Sequence, residues 1–71
     1  MTTPYETFRG MLPTCTPDGS PQHSIVTRQG LGSAGRVWIR FSGAWVTTAV
    51  MTNDEAEQFV QLVSDARRAR L

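Results

Sequence analysis

The apolar periodicity of this chain changes from two to about 3.6 at one point, Thr52, and that change limits the fold more than any other feature. Before it, Arg36 to Phe41 alternates, with Val37, Ile39 and Phe41 on one side and Arg36, Trp38 and Arg40 on the other. After it, Ala56, Phe59, Val60, Val63 and Ala66 recur at helical spacing. The junction, Thr52-Asn53-Asp54-Glu55, reads as a capping box, with Met51 and Ala56 placed for a hydrophobic staple. Asp54, Glu55 and Glu57 load the positive end of the helix dipole, and Arg67, Arg68 and Arg70 load the negative end. A sheet that ends in one amphipathic helix is the expected outcome.

Upstream, His23 to Gln29 is β-branched and bounded by turn residues, which predicts a strand. Gly30 to Gly35 reads as a flexible connector, and Ser42-Gly43 as a two-residue hairpin loop from which Ala44 to Met51 returns. All four prolines fall in the first 21 residues. There, Thr3-Pro4-Tyr5-Glu6 resembles a helix start, and Tyr5, Phe8, Met11 and Leu12 follow at helical spacing. Pro17-Asp18-Gly19-Ser20 has the chemistry of a turn. The expected fold is therefore α+β: a three-stranded antiparallel meander with a long C-terminal helix on one face and a short N-terminal helical turn. Residues 1–22 form a Pro/Thr-rich segment and residues 23–71 a β-β-β-α domain.

A two-residue loop would pair Phe41 with Ala44, Arg40 with Trp45 and Trp38 with Thr47, and paired residues share a face. One face would then carry Val37, Ile39, Phe41, Val46 and Val50 against the helix. The other would carry Arg36, Trp38, Arg40, Trp45 and Thr47, with both tryptophans of the chain among them. One helix cannot cover both faces. The second face is either covered by the N-terminal segment through Tyr5, Phe8, Met11 and Leu12, or shared with a second copy, or used as a contact surface.

Composition narrows the function. With 71 residues, the core is small and a staple or partner is welcome. The single cysteine, Cys15, closes no internal disulfide, and with the single His23 it closes no four-ligand metal site. No apolar run reaches the roughly 20 residues of a membrane span. MTTPYETFRG lacks the basic and apolar regions of a signal peptide, so a cytoplasmic setting is expected. All seven basic residues are arginines, which points to a high-GC bacterium or its phage. The net charge of +1 gives no global nucleic-acid signature.

Gly30-Leu31-Gly32-Ser33-Ala34-Gly35 matches G-x-G-x-x-G but leads into a strand, where no helix N-terminus awaits a pyrophosphate. His23 with Ser24, Ser20 and Cys15 nearby lacks the orienting group and oxyanion hole of an acyl-transfer site. The Arg36–Gly43 stretch followed by Val50-Met51 resembles a hairpin near the C-terminus of phosphohexomutases. Ala44-Trp45-Val46 stands where that family has its phosphate-gripping Thr-Glu-Pro, so no function carries over. The strand–strand–helix portion ending in Thr52-Asn53-Asp54-Glu55-Ala56 is similar in architecture to the DNA-reading modules of phage-integrase arm domains. That resemblance implies a major-groove face at Arg36, Trp38, Arg40 and Trp45.

No catalytic residue, metal or cofactor is expected. The expected function is that of a non-enzymatic accessory or regulatory protein, acting through Arg36, Trp38, Arg40, Trp45 and Thr47. Its partner is a second copy or a host protein, because Trp and Arg are enriched in interface hot spots. A sheet-reading DNA-binding module is the alternative, with aromatic stacking and guanidinium–phosphate contacts.

Overall fold

Pro17, Asp18 and Gly19 close the first hairpin. Gly19 N donates to Thr16 O at 2.8 Å, Thr16 N donates to Ser20 O at 2.9 Å, and Gly19 adopts φ +88°. That left-handed conformation costs glycine little and would strain any residue with a Cβ. The Thr16 hydroxyl donates to Asp18 Oδ1 and accepts from Ser20 N, so buried Thr16 is satisfied. The same contact, with Ser20 N also donating, holds the Asp18 carboxyl below its usual range.

In the computed structural model, which describes residues 6–43 and 46–69, this turn joins two long strands, β1 (Glu6–Cys15) and β2 (Pro21–Gln29). A loop with one 3-10 turn at Gly32–Ala34 leads to β3 (Arg36–Ser42), then β4 (Val46–Met51) and α1 (Asn53–Arg68). The sheet is an antiparallel meander in the order β1-β2-β3-β4. The α+β class and the C-terminal helix are as expected.

The sheet has four strands rather than three, because the segment expected to form a helical turn is β1. A helix of two turns is marginal without tertiary support, and Gly10 and Pro13 would weaken it further. As an edge strand the segment gains a full ladder with β2, from Phe8 opposite Arg28 to Cys15 opposite Pro21. Pro13 is tolerated there because an edge strand has a side that needs no donor. The boundary expected at residue 22/23 therefore falls inside β2, and β1 extends the sheet instead of folding over it. Tyr5 and the capping box expected at Thr3 lie outside the described residues.

The second hairpin also differs from expectation. Ser42 pairs with Val46 and β4 runs from Val46 to Met51, while Ala44, the expected start of that strand, lies outside the described residues. Trp38 faces Val50, Ile39 faces Ala49 and Phe41 faces Thr47. The pairing is displaced by three residues, and an odd displacement turns every β4 side chain to the opposite face.

The helix side of the sheet then carries Phe8, Leu12, Val26, Val37, Ile39, Phe41, Ala49 and Met51, in rows that run across the strands. Met51 sits one residue before Thr52, whose hydroxyl accepts from Glu55 N at 3.1 Å. The Glu55 carboxylate accepts from Thr52 N at 2.9 Å in return. This capping box starts α1 and lowers the pKa of Glu55 below its ordinary 4.5. The helix packs over β3 and β4, and reaches β2 through the hydrogen bond that Arg28 donates to Asn53. Ile39 is the one buried apolar side chain among the described residues, and α1 buries none.

Candidate functional site

The face of the sheet away from α1 is built in rows across the strands. Arg9, Thr27, Trp38 and Val50 form one, and Met11, Ile25, Arg40 and Thr48 the next. No element covers this face among the described residues. Trp38 is half-buried near its centre, with Thr27 beside it almost fully buried and Val50 on its other side half exposed. Arg36 and Arg40 flank Trp38 along β3, as the alternation predicts.

Hydrogen bonding separates the arginines by role. Arg36 Nη1 donates to Ser33 O at 3.2 Å and Gly35 O at 3.0 Å, so this guanidinium braces the β2–β3 loop. Arg9 forms a two-pronged pair with Glu6, at 2.8 Å and 3.3 Å. Arg28, on the helix side, donates to Asn53 Oδ1 and Gly32 O. Its guanidinium lies so close to Gly35 that a Cβ there would stand 3.0 Å from Nη2. The Arg40 side chain is exposed and, among the described residues, makes no hydrogen bond or ion pair.

Of the residues expected to form one contact surface, Trp38, Arg36 and Arg40 share this face. Thr47 does not: its pairing with Phe41 places it on the helix side. Trp45 lies outside the described residues. In place of Thr47, the register supplies Thr48 and Val50, and the added strand supplies Arg9 and Met11. The staple pointed to the correct register: Met51 can meet Ala56 only from the helix side, which requires Val50 on the other.

His23 lies on the open face and Ser24 on the helix side, where its hydroxyl pairs with that of Thr14 at 2.9 Å. The two therefore do not form a nucleophile–base pair. Among the described residues, no group of three or more His, Cys, Asp or Glu side chains converges on a point suited to a metal ion. No helix among them is long and apolar enough to cross a membrane.

A concave surface lies on the helix side. It is a groove of about 230 Å³ with Val26, Val37 and Ile39 along its floor and Phe59, Val60 and Val63 along its wall. No charged side chain lines it.

Comparison with protein-family models, with curated proteins and with solved structures finds no match to this chain.

Proposed function

We propose that this is a small, non-enzymatic accessory or regulatory protein that binds a protein partner through the open sheet face. The observation that carries the reading is the grouping at its centre. Trp38 stands among Met11, Ile25 and Val50, beside the guanidinium of Arg40, which has no partner among the described residues. An aromatic anchor in apolar surroundings with one charged arm is the composition of an interface hot spot. Arg36 belongs to the frame of the site rather than to its contacts, since its Nη1 already serves the loop.

The DNA-binding alternative is less well supported. Phosphate tracking draws on several cationic side chains at once. On this face Arg9 is paired with Glu6 and Arg36 is bound to carbonyls, which leaves Arg40 as the readily available arginine. The lone, exposed Cys15 supports a reducing, cytoplasmic setting. The all-arginine basic set supports a high-GC bacterium or its phage as the source.

The test is affinity capture with immobilised wild-type protein and with the Trp38→Ala and Arg40→Glu variants. Each variant is first checked for native circular dichroism. A partner protein held by wild type and released by both variants, with little change in retention as salt rises, is the expected result. Retention of the same partner by both folded variants would remove the face from consideration. Binding to duplex DNA that falls steeply with salt would establish the alternative.

A further inference from the structure

The helix side of the sheet is unfinished. Four strands spaced about 4.8 Å apart make a sheet about 19 Å wide, whereas one helix with its side chains covers about 10 Å. Accordingly α1 covers β3 and β4, and among the described residues no helix lies above the shelf formed by β1 and β2. Phe8 and Leu12 on that shelf are 58% and 63% exposed. On the helix, Val60 and Val63 are 66% and 54% exposed, although they belong to the apolar stripe.

The area of the whole chain makes the same point. It exposes 5726 Å², whereas a compact monomer of 7.9 kDa exposes about 4,400 Å². The radius of gyration is 13.6 Å against about 11 Å expected for 71 residues, and the Cα trace is only 15 Å thick. The excess of about 1,300 Å² is more than the roughly 800 Å² that each partner buries in an interface of standard size.

We infer that a second copy of this chain docks on the helix side, each copy laying α1 in the groove and over the β1–β2 shelf of the other. The shelf lacks a helix with an exposed apolar stripe, and the chain itself presents one. Both surfaces lie on one side of the protomer with the groove between them. A two-fold axis along that groove brings helix to shelf twice and closes the assembly. The two helices then lie side by side at the usual 8–10 Å, with Val60 and Val63 against their symmetry mates. Val60 and Val63 can meet their mates without burying charge there, because the groove has no charged lining. The Trp38 face remains outside this dimer, so self-association and partner binding use opposite sides of one sheet.

Sedimentation equilibrium over a dilution series tests this. The wild-type chain is expected at twice the 7.9 kDa of one protomer, and Val60→Asp is expected to weaken dimerisation at least tenfold. Trp38→Ala should leave the mass unchanged. A wild-type mass of one chain at every concentration overturns the inference, as does a dimer lost on Trp38→Ala and kept by Val60→Asp.

A second measurement does not depend on how well Val60→Asp folds. In a Cys15→Ser background, Leu12→Cys and Val63→Cys chains are mixed and treated with a short thiol cross-linker. A mixed dimer is expected, with none between Arg40→Cys and Val63→Cys. The reverse pattern places the contact on the other face and overturns the inference.

Discussion

The two faces of the sheet differ in how their residues are satisfied. On the open face, polar groups are matched within the chain: Arg9 with Glu6, Arg36 with loop carbonyls, Gln29 with Thr27. Among the described residues the Arg40 guanidinium has no internal partner, and half-buried Trp38 lies beside it. On the helix side the unmet need is apolar, and it is spread over Phe8, Leu12, Val60 and Val63 rather than focused on one residue. A face with a few available groups suits recognition of a separate partner. A broad apolar face suits permanent coverage, since the hydrophobic effect scales with area and is indifferent to direction.

The contrast can be broken most severely at Ile39, the one buried apolar side chain described. Ile39→Ala should cost about 2–4 kcal/mol, comparable to much of the stability of a domain this small, and urea denaturation would measure it. If the loss is under about 1 kcal/mol, the monomer core is not what holds the helix side together.

Thr52→Ala comes next. Removing the capping hydroxyl should cost about 1 kcal/mol and lower the melting temperature by roughly 4–8 °C. In a dimer built through α1, the same variant should also weaken association, which sedimentation would detect.

A smaller effect is expected with acid. Glu55 and Asp18 have folded pKa values below their ordinary 4.5 and 3.8. Their contribution to stability is therefore complete above those values and is lost as pH falls through the folded ones. Glu55→Gln keeps a side-chain carbonyl able to complete the capping box but removes the titratable carboxyl, so its acid limb should be shallower than that of wild type. Identical limbs in a pH series of thermal melts would mean that the cap does not contribute to acid unfolding.

The smallest change in stability is expected on the open face. Arg40→Ala should alter stability by no more than about 0.5 kcal/mol, since the side chain is exposed and has no partner among the described residues. A larger loss would show that Arg40 has a structural task like that of Arg36.

How much could be read in advance depended on the range of the interaction involved. Thr52 to Glu55 could be read because a capping box is closed within four residues, and the stripe on α1 because its period is local. Pro17-Asp18-Gly19 likewise specifies its turn. The helical spacing of Phe8, Met11 and Leu12 misled because alternation and helical spacing share positions in so short a stretch. The ladder with β2 decided between them. Ser42-Gly43 misled because hairpin loops of more than one length are common, and only the position of Met51 relative to the helix distinguished the two registers.

By itself, then, the sequence determined the capped C-terminal helix, the alternating β3 with Trp38 between Arg36 and Arg40, and the turn at Gly19. Each of these depends on neighbours in the chain. The tertiary structure alone decided that residues 6–15 add a fourth strand, and that Val50 rather than Thr47 shares the face of Trp38. It also decided that one helix leaves half of the sheet uncovered. These outcomes depend on pairing between distant segments and on the width of a sheet against the width of a helix, and no local pattern encodes either quantity.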